Sequence, residues 1–207
     1  MFEAFQQHFT PDLSALPDAD GAPQGLGVPG LSELIARFGG ASFNGGLYRV
    51  IRGSDIGTWN ARVSAGFPVF AKRITCFGYD WLGRAFAADA QPREQGQPGI
   101  LMFEPGTGEV FDVPADVPSF HDVELIQHSD RALASSAHKE WLAAGGAIPA
   151  YAECIGYRVP LFLNGSDTFE NMELSDLDVY WHLMGQLIVK TKHLRPGTKV
   201  GPVTIDE

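Results

Sequence analysis

The hydrophobic positions of this chain recur at helical spacing in several short segments. Phe2, Phe5 and Phe9 fall on one face of a helix, which is typical of a short amphipathic helix. Comparable patterns predict further helices over residues 31–38, 55–65, 120–127 and 130–145, and glycines end the first, second and fourth of them. Helices are therefore expected along the whole chain and not in one half alone.

Apolar runs of strand length lie between these helices. They predict β-strands over residues 47–51, 69–77, 81–87, 100–104, 109–113 and 154–163. A turn around Gly78–Asp80 is expected to join the second and third strands, and Pro105–Gly108 is expected to close a hairpin between the fourth and fifth. A Pro-Gly turn supplies the positive φ angles that a hairpin needs, so this hairpin is the clearest local prediction.

The last predicted helix begins after Ser175, which is expected to cap it in a capping-box-like pairing with Asp178. Tyr180 and Trp181 open an apolar face that continues for two more turns. Because hairpin-linked strands are mixed with helices, the sequence predicts an α+β fold. We expect a mostly antiparallel sheet flanked by helices, with the C-terminal amphipathic helix packed on the sheet.

A chain of 207 residues can form one domain or two small subdomains that share a core. We expect an N-terminal subdomain over residues 1–95 and a C-terminal subdomain over residues 96–207, with one continuous globule as the alternative. No apolar run approaches the roughly 18–20 residues that span a bilayer, and no secretory signal is visible. With two cysteines outside any CxxC pattern, the sequence predicts a soluble, cytoplasmic protein.

Acidic residues are concentrated in one part of the chain. The net charge of −10 argues against nucleic-acid binding, because phosphate contacts need Lys and Arg. Residues 101–178 contain 14 acids and three bases, whereas residues 1–100 contain 9 acids and 8 bases. A single-sign field of that size can steer a basic partner and raise its association rate by roughly 10 to 10³ at low salt. An acidic surface that only keeps the protein soluble is the alternative.

The residue types of common active sites are present, but not in the patterns that catalysis needs. Gly25–Gly30 matches GxGxxG as a string, yet the Pro- and Asp-rich segment before it is no strand. His121, Asp122 and Glu124 are the best candidate metal ligands, with an ordinary cluster at a helix start as the alternative. No GxSxG motif is present. The sequence therefore predicts a protein that is not an enzyme, with no catalytic residues, no metal and no cofactor.

Two other pairs of residues have ordinary interpretations. Glu104 and Glu109 flank the predicted hairpin turn and are close enough to act as paired carboxylates, but solvated turn charges are the interpretation we adopt. Cys76 and Cys154 lie in apolar strands and are expected to be small core residues.

The C-terminal half carries the most specific motif. Residues 155–187 read IGYRVPLFLNGSDTFENMELSDLDVYWHLMGQL. This stretch resembles the Tdi-type C-terminal domain of a bacterial immunity protein family linked to type VI secretion, which pairs "PLFLxG…EN" with "D…VYW…GQL". Upstream, segments 2–9, 31–38, 43–51 and 77–86 resemble the GAD-like domain that usually precedes it. The resemblance therefore spans nearly the whole chain.

The resemblance implies a function by binding. Members of the family are thought to protect a bacterium from a co-encoded toxin, in the best-known case a DNase effector, and their pattern supplies no catalytic residues. We therefore expect a cytoplasmic immunity (antitoxin) protein whose partner is a cognate toxin, with no nucleic-acid and no membrane partner. A general protein-binding scaffold and a metal-dependent hydrolase are the alternatives. The oligomeric state stays open.

Two sets of residues are expected to carry these properties. The candidate partner-binding residues are the acids Asp112, Asp116, Asp122, Glu124, Asp167, Glu170, Glu173, Asp176 and Asp178. The residues of the family motif, which we call the signature residues and expect to specify the fold, are Pro160, Gly165, Asn171, Tyr180, Trp181 and Gly185. A nuclease presents a basic cleft for phosphate, so an acidic inhibitor can occupy that cleft as a charge mimic.

Overall fold

The computed structural model describes residues 1–12, 27–92, 98–194 and 198. Residues 16–30 are rich in Pro, Gly and Asp and residues 91–98 are polar, so each segment is predicted to be a loop. Most of both segments lies outside the described residues. The protein has the predicted α+β architecture, with a six-stranded antiparallel sheet, a separate two-stranded sheet and helices around them.

The six-stranded sheet is a meander in which each strand pairs antiparallel with the next one in the chain. Its strands are β1 (Ser42–Phe43), β2 (Tyr48–Val50), β3 (Ile74–Asp80), β4 (Ala85–Pro92), β5 (Pro98–Glu104) and β6 (Glu109–Val113). The hairpin of β5 and β6 is confirmed, with Glu104 opposite Glu109 beside the turn. The boundary predicted at residue 95 lies between β4 and β5, which are neighbours, so both predicted subdomains contribute strands to this sheet.

The turn between β3 and β4 follows Asp80, so the turn predicted at 78–80 is wrong. The Asp80 carboxylate fixes the turn, because its Oδ1 accepts the backbone N–H groups of Leu82 and Arg84 at 3.0 and 2.9 Å. Gly83 has a φ of 75°, which the tight turn requires and which a side chain would strain.

Short helices cover the sheet. Those of the N-terminal half are α1 (Glu3–His8), α2 (Leu31–Phe38) and α3 (Ile56–Gly66). Between the two sheets the chain forms α4 (Val117–Ser119), a π-helical turn (Phe120–Glu124), α5 (Leu125–Gln127), α6 (Ser129–Leu133) and α7 (Ser135–Ala143). The helix predicted over residues 130–145 is thus broken at Ala134, which has a left-handed φ of 49°. Asp130 accepts the N–H of Ser136 at 2.8 Å and starts α7 in a new direction.

The two-stranded sheet consists of β7 (Glu153–Tyr157) and β8 (Met172–Asp176). The strand predicted to continue to residue 163 ends early, because Pro160 begins a 3-10 turn over Leu161–Leu163.

Helix α8 (Leu177–Thr191) follows β8 directly. Its N-cap is Asp176, whose Oδ1 accepts the N–H of Val179 at 2.9 Å, so the prediction of Ser175 as the cap is wrong by one residue. Ser175 instead lies in β8, opposite Cys154 of β7.

The predicted packing of α8 on the sheet is confirmed. The Trp181 indole N–H donates to the carbonyl oxygen of Gly83 in the β3–β4 turn at 2.8 Å. Gly185 faces Gly66 of α3 so closely that a Cβ on it would lie 3.3 Å from the Gly66 Cα. One continuous apolar core includes residues from both predicted subdomains. Within the described ranges, no helix is both long enough and apolar enough to span a bilayer.

Candidate functional site

Five of the nine candidate partner-binding acids lie on one short stretch of chain. We call them the acidic ridge: Asp167, Glu170, Glu173, Asp176 and Asp178. All five are exposed, and residues 167–178 contain no Lys or Arg. The stretch crosses a loop, β8 and the first turn of α8.

Residues behind the ridge hold three of its carboxylates in position. The Tyr157 hydroxyl donates to Asp167 at 2.7 Å, and the Arg158 Nε donates to Glu173 at 2.9 Å. The Asp176 carboxylate caps α8. These side chains therefore lose less freedom on binding than unrestrained surface carboxylates would.

The remaining ridge acids are also constrained. Arg62 of α3 donates to Asp178 at 2.7 Å, and its guanidinium carbon lies 4.6 Å from the centre of the Trp59 ring. Hydrogen bonding from the Thr168 side chain lowers the pKa of the Glu170 carboxyl, which keeps it ionised. The five carboxylates of the ridge are paired with two guanidinium groups, those of Arg62 and Arg158. The net charge of the ridge with these partners is therefore −3.

Exposed apolar side chains accompany the ridge. Leu174 of β8 is 44% exposed, and Val179 in the first turn of α8 is 57% exposed. Val159, 46% exposed, is joined to the ridge segment through the Asn171 side chain. Charged rims beside apolar contacts are typical of protein–protein interfaces.

A groove between α3 and α8 borders the ridge. It consists of two adjoining depressions with volumes of about 510 and 290 Å³. Thr58, Arg62 and Asp178 line both, and the smaller one reaches Tyr151. Sequence reasoning missed Arg62 and Tyr151, because no local pattern relates either residue to the ridge.

The other four candidate acids lie outside the ridge, on β6, at the start of α4 and in the π-helical turn. Asp112 is exposed on the edge strand β6. Asp116 caps α4 by accepting the N–H of Ser119 at 2.8 Å. Glu124 is bound by Arg131 at 3.0 Å. The structure does not place these acids on the ridge segment.

Asp122, another of the candidate partner-binding acids, is half-buried. Its two carboxylate oxygens accept the backbone N–H groups of Phe2 and Phe5 at 2.9 and 3.0 Å. The carboxylate therefore satisfies the N-terminus of α1 from a distant part of the chain, where its negative charge also complements the helix dipole.

The signature residues of the loop after β7 fix its backbone. The Pro160 carbonyl oxygen accepts the N–H groups of Leu163 and Gly165. A Cβ on Gly165 would lie 1.9 Å from the Val159 carbonyl oxygen, so the position requires glycine. Asn171 binds both backbone groups of Val159 and the Ser166 carbonyl oxygen.

The signature residues of α8 form its buried face. The Tyr180 hydroxyl accepts the N–H of Tyr157 at 3.3 Å, and Trp181 is buried against the β3–β4 turn. Gly185 allows the close approach of α3. The signature residues therefore make structural contacts in the loop after β7 and on the buried face of α8.

His121, the centre of the alternative metal site, is a buried core residue. One ring nitrogen contacts the Tyr48 hydroxyl at 2.9 Å and the other contacts the Val117 carbonyl oxygen at 2.7 Å. Burial lowers its pKa to about 4, so it stays neutral near pH 7. His121, Asp122 and Glu124 each bind a different group, and no cluster with metal-ligand geometry occurs among the described residues.

Glu104 is buried beside the β5–β6 turn, so its interpretation as a solvated charge is wrong, while Glu109 is exposed. Burial raises the pKa of the Glu104 carboxyl to about 7, although Arg84 lies 3.7 Å away and favours ionisation. Arg84 is already compensated by Asp80. The Glu104 charge is therefore a net cost of folding at neutral pH.

This gives a pH prediction. Because the folded pKa of Glu104 exceeds the unfolded value near 4.5, its contribution to stability is fully present below about pH 4.5 and lost as the pH rises through 7. Relative to Glu104→Gln, the wild-type free energy of unfolding should fall by about 2–3 kcal/mol between pH 5 and pH 8. Urea unfolding at both pH values measures the difference, with Glu109→Gln as the exposed control. A difference that does not change with pH contradicts it.

Comparisons with known proteins address the fold. No protein-family model matches the sequence, and no curated protein matches it. The crystal structure of Atu4351 from Agrobacterium tumefaciens is similar, with a TM-score of 0.57, 12% sequence identity, and coverage of 90% of this chain and 89% of that one. At this identity the similarity shows a shared fold alone.

Proposed function

We propose that this protein is a bacterial immunity protein that neutralises a cognate effector of type VI secretion by stoichiometric binding in the cytoplasm. The observation that carries the proposal is the acidic ridge, five exposed carboxylates on a stretch of twelve residues without a base. The family resemblance of residues 155–187 supports the same function.

The charge of the ridge favours a nuclease as the effector. A nuclease binds phosphate through Lys and Arg, so its cleft is positive. The ridge presents carboxylates to such a cleft in place of phosphates, and it is held from behind by Tyr157 and the buried face of α8. Opposite fields raise the association rate and select the partner. The groove beside α3 offers a place for a partner side chain that slows dissociation.

In this proposal, the chain inhibits the effector by occupying its cleft and does not act on it as an enzyme. One molecule of this chain should inactivate one effector molecule, and inhibition should reverse when the complex dissociates. The scaffold alternative predicts binding to other proteins without any effect on toxicity, so a toxicity assay separates the two.

The test uses coexpression with the candidate toxin encoded beside the gene for this chain. We expect the wild-type chain to restore growth and to co-purify with the toxin at one to one. The ridge variant Glu170→Lys/Glu173→Lys is expected to bind about 10- to 10³-fold more weakly and to lose protection. The control variant Glu109→Lys/Glu140→Lys makes the same charge change at exposed acids outside the ridge and should still protect.

Melting temperatures of both variants show that they are folded. Loss of protection by both variants alike contradicts a specific role of the ridge. A wild-type chain that neither co-purifies with the toxin nor restores growth overturns the proposed function.

A further inference from the structure

β8 is the edge strand of the two-stranded sheet, and two hydrogen bonds fix which of its backbone groups face β7. The Arg158 N–H donates to the Asn171 carbonyl oxygen at 2.8 Å. The Leu177 N–H donates to the Ala152 carbonyl oxygen at 2.9 Å. Bonding alternates along an antiparallel pair, so the backbone N–H and C=O of Leu174 point away from β7.

The two edges of this sheet differ. On the β7 edge, the Ile155 N–H donates to the Trp81 carbonyl oxygen at 2.7 Å, and the Tyr157 N–H donates to the Tyr180 hydroxyl at 3.3 Å. On the β8 edge, no backbone group among the described residues bonds to the outward N–H or C=O of Leu174. The β8 edge therefore offers a donor and an acceptor at the spacing of a strand.

The side chains along this edge are acidic and apolar. Leu174 is 44% exposed and lies between the ridge acids Glu173 and Asp176. At this edge the Arg158 Nε donates to the Glu173 carboxylate at 2.9 Å. An added strand would thus meet an apolar contact in the middle and negative charge on both sides.

The charge decides what such a strand can be. A second copy of this chain, paired β8 to β8, would bring two acidic ridges together, and like charges on neighbouring strands destabilise the pair. A strand that carries Lys or Arg at alternate positions is instead attracted by the ridge carboxylates that would repel a second copy. In β-strand addition, main-chain hydrogen bonds give affinity and alternate side chains give specificity.

We propose that β8 binds an extended, Lys- or Arg-bearing segment of the partner as an added strand, with Leu174 at the centre of the new ladder. This inference rests on the proposed function for the identity of the natural partner. The effector would then contain a basic segment in strand conformation. The ridge acids would lie on both sides of the contact between that segment and β8.

The probe is a synthetic octapeptide of alternating lysine and threonine with blocked ends. Titrated into the ¹⁵N-labelled full chain at low salt, it is expected to slow hydrogen exchange of the Leu174 amide by about tenfold or more. The Ile155 amide, already bonded in the free protein, should not change. The same peptide with glutamate in place of lysine is expected not to bind.

Two matched changes isolate the backbone contact. A peptide that is N-methylated at every backbone nitrogen keeps its charge and loses its backbone donors, and its affinity should fall about tenfold or more. Leu174→Pro removes the outward N–H and should weaken the unmodified peptide similarly, whereas Leu174→Thr should bind within about threefold of wild type. If Leu174→Pro lowers the melting temperature, the affinity of the methylated peptide for the wild-type chain is the decisive measurement, because it leaves the protein unchanged.

Equal binding of the methylated and unmodified peptides, or protection of amides outside β8, overturns the inference. A chain that neutralises the toxin without protection of the Leu174 amide overturns the inference and leaves the proposed function standing. A chain that binds the peptide on β8 but does not neutralise the toxin supports the inference and overturns the proposed function.

Discussion

Replacing Asp80 by alanine is expected to lower the free energy of unfolding by about 3–5 kcal/mol. Asp80 and Arg84 are both buried, and the Arg84 Nε donates to Asp80 Oδ2 at 2.6 Å. Removing the carboxylate leaves the guanidinium charge buried, with the Ala132 carbonyl oxygen at 3.2 Å and the Glu104 carboxylate at 3.7 Å. It also leaves the backbone N–H of Leu82 without its acceptor in the β3–β4 turn.

Urea unfolding of three variants separates the charge from the hydrogen bonds. Asp80→Asn retains an acceptor for the turn and should cost less than Asp80→Ala. Glu173→Ala breaks the exposed ion pair with Arg158 and should cost no more than about 1 kcal/mol. If Asp80→Ala and Glu173→Ala lower the free energy of unfolding equally, the buried pair of Asp80 and Arg84 does not stabilise the fold more than an exposed ion pair does.

Replacing Trp181 by alanine is expected to cost about 3–5 kcal/mol as well. Its ring is 1% exposed and contacts the rings of Trp59 and Phe67, and its indole N–H is bonded to Gly83. The truncation leaves a cavity between α8, α3 and the sheet and an unpaired carbonyl oxygen in the turn.

The matched control for Trp181→Ala is Val179→Ala, two residues earlier on α8 and exposed. It should change the free energy of unfolding by no more than about 0.5 kcal/mol. Below its melting temperature, Trp181→Ala should associate with the partner about as fast as the wild type, because Trp181 lies outside the ridge. Its complex should dissociate faster, because Trp181 lines the groove between α3 and α8. A stable Trp181→Ala protein that associates much more slowly than the wild type contradicts that division of roles.

Local patterns predicted the elements that local contacts determine. The β5–β6 hairpin needs only its turn residues and two apolar runs, and α3 needs only its helical spacing and the glycine that ends it. The turn between β3 and β4 was misplaced because Gly78 resembles a turn glycine. In the sheet it instead makes room for the Tyr48 ring, whose hydroxyl oxygen would lie 2.2 Å from a Cβ at that position.

In the candidate site, too, the sequence predicts what depends on neighbouring residues and does not predict contacts between distant ones. The ridge acids are close in sequence, so their clustering was visible in the charge count. The contacts of Asp122 cannot be predicted from the local sequence, because its partners, the N–H groups of Phe2 and Phe5, are 120 and 117 residues away. Arg62 and Asp178 are 116 residues apart, and no pattern in the sequence around either residue predicts that they pair. Such contacts follow from the tertiary fold alone.

Binding through the charge of the ridge is tested by the salt dependence of the dissociation constant for the purified complex of this chain and the candidate toxin. Exposed charges are screened as the Debye length falls from about 10 Å at 0.1 M salt to about 3 Å at 1 M. We predict that the affinity of the wild-type chain weakens steeply with salt and that Glu170→Lys/Glu173→Lys binds weakly with a shallower slope. An affinity that is independent of salt, or a slope unchanged in that variant, would contradict it.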